Sequence, residues 1–155
     1  MIKVLLFDLA RVLLFPKDSN YQEELNQLHK SLSSNPTYNF NGYFYLDEKI
    51  MDYLRSIKDK YQLYMFTSGA IQYADEIHSQ LTEIFKKIYS AAEMGVSKKD
   101  PESYRTIAKD IGAEPNEILF IDDSEGNVAA AKEAGLKAFV YKELEELKME
   151  ISEIQ

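Results

Sequence analysis

The stretch EILFIDDSEGNVAAAKEAGLKAFVY, residues 117–141, decides the architecture. Its first part, EILFIDD (117–123), is an apolar run that closes on two carboxylates. No polar residue alternates with the apolar ones, as expected of a strand covered on both faces of a parallel sheet. EGNVAAAKEAG (125–135) reads as a short alanine-rich helix stopped by Gly135. KAFVY (137–141) begins another strand. Strand, helix and strand in so short a span form a βαβ unit with a right-handed crossover.

The same form recurs outward along the chain. KVLLFD (3–8) and YQLYMFTS (61–68) are apolar runs ending on polar residues, and KKIYSA (86–91) is a weaker one. Helical patterns lie between them. In 47–59, Ile50, Leu54 and Ile57 share a face behind an N-cap at Asp47. In 101–112, Tyr104, Ile107, Ala108 and Ile111 do so, with Asp100 as N-cap and Pro101 in the first turn. Residues 142–153 form a charged amphipathic helix. The expected fold is an α/β, three-layer Rossmann-like sandwich with a mostly parallel sheet. Residues 16–45 interrupt it. They hold one helical pattern (Leu25, Leu28, Leu32) and then SSNPTYNFNGYFY, which reads as a small helical cap insertion of one helix and a loop. One domain, 1–155, with 16–45 as a reduced cap within it, is the expected organisation.

Composition narrows the function. A net charge of −8 argues against nucleic acid or an anionic membrane as partner, since both require a basic face. Without cysteine there are no disulfides and no thiolate metal sites. VLLF near the N-terminus is too short for the apolar core of a signal peptide, and no run approaches the roughly 20 apolar residues of a membrane span. A cytoplasmic protein is expected; the oligomeric state is left open.

In open parallel sheets, ligands bind beyond the carboxyl ends of the strands where strand order reverses. Asp8, Thr67 and the Asp122–Asp123 pair all fall at such ends. They converge if the first strand lies between the other two. Converging carboxylates repel unless a cation compensates, and hard oxygen ligands without His or Cys point to Mg²⁺. His29 and His78 read as exposed helical residues. Tyr38, Phe40, Tyr43, Phe44 and Tyr45 read as packing.

Four segments, in order, resemble the haloacid dehalogenase superfamily, mostly Mg²⁺-dependent phosphatases that form an aspartyl-phosphate. FDLARVL resembles its nucleophile motif, usually Asp-x-Asp-x-Thr/Val, and MFTSG its second motif. GVSKKDPESY resembles the third, and FIDDSEGNVAAAKEAGLKAFVY the fourth. The resemblance implies Asp8 as nucleophile and Lys98 as the cation that neutralises it, with Lys99 the fallback where the family usually has Pro. It implies Thr67, Ser68 and Lys98 as phosphate ligands. It implies Asp8, Asp123 and the carbonyl of Ala10 as Mg²⁺ ligands, with Asp122 beside them and Asn127 at the later Asp/Asn position. A small phosphorylated substrate is the expected partner.

Ala10 departs from this pattern. The second Asp of the phosphatases protonates the leaving oxygen and then activates water, and alanine does neither. Losing a general acid–base costs about 10² to 10⁴ in rate. A phosphatase of reduced or atypical activity, a non-catalytic metal- or phosphate-binding regulator, and a dehalogenase or phosphonatase all remain compatible. Arg11, where Gly is common, stands at the site mouth.

Overall fold

A computed structural model describes residues 1–154. Five strands form one parallel sheet in the order β5-β4-β1-β6-β7. They are β1 (Val4–Phe7), β4 (Gln62–Thr67), β5 (Ile88–Ser90), β6 (Ile118–Asp122) and β7 (Lys137–Val140). The chain runs from β1 outward through β4 to β5, then crosses back to lay β6 on the other side of β1. Strand order therefore reverses at β1/β6, the place that creates a ligand crevice. Phe7 stands opposite both Met65 and Ile121, so the residues following β1, β4 and β6 emerge at one level.

The period-2 alternation of the strands feeds two cores. Leu5 and Phe7 face a layer built by α3 (Glu48–Ile57), α4 (Asp75–Ile84) and α8 (Leu144–Glu153). Val4, Leu6, Phe66 and Phe120 face α6 (Pro101–Ile111) and α7 (Glu125–Glu133). The caps follow from the residue types: Asp47 accepts from Lys49 N, Asp100 from Glu102 N, and Ser124 from Asn127 N. No helix among the described residues is long and apolar enough to cross a membrane.

The insertion holds more than one helix and a loop. Besides α1 (Leu25–Leu32) and the single turn α2 (Phe40–Tyr43), it carries β3 (Phe44–Leu46), antiparallel to β2 (Leu14–Pro16). Leu25, Phe40 and Phe44 of this segment are buried in the main core. The two histidines are half-buried, not exposed. His29 Nδ1 lies 3.0 Å from the Tyr38 hydroxyl and His78 Nδ1 3.0 Å from the Gln72 carbonyl. Each sits where its helix meets a neighbouring turn, and an unpaired ring nitrogen there would be costly. Among the aromatics of the insertion, Phe40 and Phe44 are core, whereas Tyr43 and Tyr45 stay exposed.

Candidate active site

Asp8 follows β1, its backbone N–H donating to the Ile121 carbonyl at 2.9 Å. That bond stitches it to β6, which ends in Asp122. Between them lies Lys98. Its Nζ is 2.8 Å from Asp8 Oδ1 and 2.9 Å from Asp122 Oδ2, and all three side chains are buried. The ammonium also sits 5.3 Å and 5.6 Å from the centres of the Phe66 and Phe120 rings. Ring faces attract a cation, and here they wall it off from water.

The lysine is held from behind. Tyr104, fully buried on α6, donates its hydroxyl to the Lys98 carbonyl at 2.6 Å. Lys99, by contrast, is exposed on the cavity wall, its Cε near Gly126. Of the two neighbouring lysines, Lys98 is the one paired with Asp8.

Asp122 is fully engaged. Oδ1 accepts from Ser124 N at 2.8 Å, and Oδ2 accepts from Asn127 Nδ2 at 3.0 Å and forms an ion pair with the Lys98 ammonium at 2.9 Å. Asp123, partly open, completes a triad: one oxygen from each of Asp8, Asp122 and Asp123 lies within 4.8 Å of the others. Burial pushes Asp122 up, but the Lys98 charge and the Lys98, Ser124 and Asn127 bonds outweigh it and hold the carboxyl below its usual value. Asp8 goes the other way. Burial, with the charges of Asp122 and Asp123, overcomes Lys98 and raises it to about 7. Burial and Asp122 raise Asp123 to about 6. For Lys98, burial works against the charge, but Asp8 and Asp122 prevail and its pKa is raised. One ammonium thus serves two buried carboxylates, with a third beside them. That excess of negative charge and the set of hard oxygen donors suit a divalent cation such as Mg²⁺.

A cavity of about 690 Å³ opens over this cluster. Ala10, Arg11, Ser68, Ala92, Ser97 and Asn127 line it with the acidic triad, Lys98 and Lys99. Ser68 reaches the wall. Thr67 lies just behind, at the end of β4, completely buried, and its hydroxyl finds no hydrogen-bond partner in the protein.

Three wall residues come from the insertion: Glu24, Leu25 and Asn26, at the start of α1. Leu25 is marked in the sequence only as part of a helical apolar pattern, and no spacing or motif marks Glu24 or Asn26. Arg11 ties this turn down, its Nη2 donating to the carbonyls of Tyr21 at 3.1 Å and Glu23 at 2.8 Å. It adopts a left-handed backbone, φ 62°, uncommon for a residue with a Cβ. A second tie comes from Asn26, whose Oδ1 accepts from Ile71 N at 3.0 Å. Gly69 leaves room for this tie: a Cβ on it would lie 2.6 Å from Asn26 Oδ1.

Comparison with known proteins agrees with this geometry. A family model described as haloacid dehalogenase-like hydrolase matches residues 9–135. The enolase-phosphatase E1 of Aquifex aeolicus is 35% identical over 80 residues, covering 48% of this chain and 35% of that protein. The chloroplast flavin mononucleotide hydrolase 1 of Arabidopsis thaliana is 28% identical over 117 residues, covering 74% of this chain and 47% of its own length. The matches thus span between a third and a half of these curated relatives. Among solved structures, a HAD-like family hydrolase from Porphyromonas gingivalis superposes with a TM-score of 0.73 at 20% identity, over 99% of this chain and 98% of that one. A HAD family enzyme from Bacteroides thetaiotaomicron, solved with magnesium and inorganic phosphate, gives 0.71 at 21% identity, over 92% and 95%. The family model spans most of the chain and both structures share its sheet and helices: this chain belongs to the haloacid dehalogenase-like hydrolases.

Proposed function

We propose that the protein hydrolyses a small phosphate monoester in a Mg²⁺-dependent reaction through an aspartyl-phosphate on Asp8. One observation carries the reading: a buried carboxylate at the end of the central strand, paired with Lys98 and facing two further carboxylates beneath an open cavity. The phosphatase names of the curated relatives, and the magnesium and phosphate bound by the Bacteroides enzyme, support it.

The residues divide the work. Asp8, Asp123 and the Ala10 carbonyl would hold Mg²⁺, and Asp122, its own oxygens taken, would orient the set. Bound there, Mg²⁺ would offset the carboxylate charge and withdraw electron density from the phosphoryl oxygens. An oxygen of Asp8 attacks phosphorus as the bond to the leaving oxygen breaks, and water later attacks the acyl phosphate. Lys98 counters charge on Asp8 and on the transferring group. Thr67 and Ser68 supply hydrogen bonds to the phosphoryl oxygens, Thr67 through the hydroxyl that has no partner within the protein. Residues 16–45 act as a reduced cap of the single domain, and the exposed cavity mouth suits a substrate that is not fully enclosed.

The assay is release of p-nitrophenol from p-nitrophenyl phosphate, with and without Mg²⁺, with an acid-quenched search for a phosphorylated protein. Metal-dependent turnover that Asp8→Asn abolishes is the expected result. Ala10 supports a second reading, a binder of phosphorylated ligands without turnover. Phosphate or beryllium fluoride binding with neither turnover nor phosphoprotein would establish that reading and end the first.

A further inference from the structure

A phosphate ester of an ordinary alcohol leaves as a poor alkoxide unless an acid protonates it, and the second step needs a base to deprotonate water. The methyl of Ala10 offers neither. Four carboxylates line the cavity: Asp8, Asp122, Asp123 and Glu24. Asp8 is the nucleophile, and Asp122 and Asp123 belong to the cation cluster. Glu24 is left. It stands at the N-cap of α1, yet its side chain makes no capping bond to the helix. Its place in the wall is fixed from both sides. Arg11, the residue after Ala10, grips the Glu23 carbonyl, and Asn26 is fastened to the backbone of Ile71. We propose that Glu24, carried by the insertion, is the general acid–base of this site, and that Arg11 is the positioning residue that holds its segment at the cavity wall.

The assignment rests on the phosphatase reading and completes its chemistry. In the first step an Asp8 oxygen bonds to phosphorus, the bond from phosphorus to the leaving oxygen breaks, and the Glu24 carboxylic proton passes to that oxygen. A neutral alcohol and a Glu24 carboxylate result. In the second step that carboxylate takes a proton from water as the water oxygen bonds to phosphorus. The bond from phosphorus to Asp8 breaks, phosphate departs, and Asp8 is again a carboxylate with Glu24 protonated.

The test compares ethyl phosphate with p-nitrophenyl phosphate in the wild type and in Glu24→Gln. For ethyl phosphate, kcat falls about 10²- to 10⁴-fold in the variant. With the aryl ester, whose leaving group hardly needs a proton, the burst of nitrophenol survives and phosphorylated Asp8 accumulates, because only the water step is crippled. Adding Ala10→Asp to Glu24→Gln restores turnover of ethyl phosphate. Arg11→Ala lowers turnover in the wild type but has little further effect once Glu24 is gone, the non-additivity of residues acting as a unit. Glu24→Gln turning over ethyl phosphate within about twofold of wild type overturns the assignment while leaving the phosphatase intact. Equal loss on both esters without a trapped phosphoprotein also overturns it. A wild type that never phosphorylates Asp8 overturns the phosphatase reading itself, and this one with it.

Discussion

Lys98→Met is the most demanding perturbation of the site, because it removes the charge and keeps the bulk. Each of the two contacts, at 2.8 and 2.9 Å, is worth about 6 kcal/mol gross at an effective dielectric of about 20. Most of that offsets the cost of taking three ions out of water. The net loss on leaving buried carboxylates without their cation is about 3–5 kcal/mol. A domain of this size has only about 5–15 kcal/mol in total, and each kcal/mol moves the melting temperature by about 2–4 °C. A fall of about 6–20 °C is expected. The pH dependence has a definite sign. A carboxyl raised in the folded state binds more protons there than when unfolded, so stability declines as pH rises from the unfolded to the folded value. For Asp8 that window runs from about 4 to about 7, and removing Lys98 extends it upward. The variant is therefore closest to wild type near pH 5 and weakest near pH 8. Millimolar Mg²⁺ recovers part of the loss at pH 8. Thermal melts by circular dichroism at both pH values, with EDTA or Mg²⁺, provide the measurement. A variant that melts within about 2 °C of wild type at pH 8 in EDTA refutes the argument.

Tyr104→Phe leaves the Lys98 carbonyl without its buried donor; a loss of about 1–3 kcal/mol in urea unfolding is expected, with a lower kcat because the lysine backbone is freed. Gly69→Ala forces a methyl to within 2.6 Å of Asn26 Oδ1, so the Asn26 side chain must give way and its bond to Ile71 N is disturbed. Its expected signature is a lower kcat on ethyl phosphate with little change in Mg²⁺ affinity, read from steady-state kinetics and Mg²⁺ calorimetry. Protons and Mg²⁺ compete for Asp8 and Asp123, raised to about 7 and about 6. Apparent Mg²⁺ affinity should thus climb between pH 5 and 8, with protons released on binding that calorimetry in two buffers detects; affinity constant across that range would contradict the assignment of these ligands.

The parts of the site nearest the sheet are the parts a reader of the sequence can find. Asp8 and Asp122 stand out because a buried parallel strand is uniformly apolar, and each of them closes such a run with a charge. Lys98 is singled out only by the resemblance of GVSKKDPESY to the family's third motif; no pattern of its own separates it from Lys99. The insertion is another matter. Glu24 and Asn26 reach the cavity because Leu25 is buried in the core and Arg11 grips the neighbouring backbone, contacts between residues that no periodicity links. The pairing of Leu14–Pro16 with Phe44–Leu46 is equally silent, three residues against three across a long separation. The helix α4 could have been found: Ile77, Leu81 and Ile84 recur at helical spacing behind Asp75 and Glu76. Thr67 and Ser68 cannot be separated by pattern, since which of two adjacent hydroxyls reaches the wall depends on the last half-turn of the strand.

The ammonium of Lys98 is lodged between Phe66 and Phe120, two rings that also fill the space between sheet and helices. The charge proposed to act on the phosphoryl group and the hydrocarbon that drives folding therefore occupy the same few ångströms. Inactivation on heating should coincide with the cooperative melting of the whole domain, with no temperature at which the molecule keeps its shape but has lost its catalytic centre.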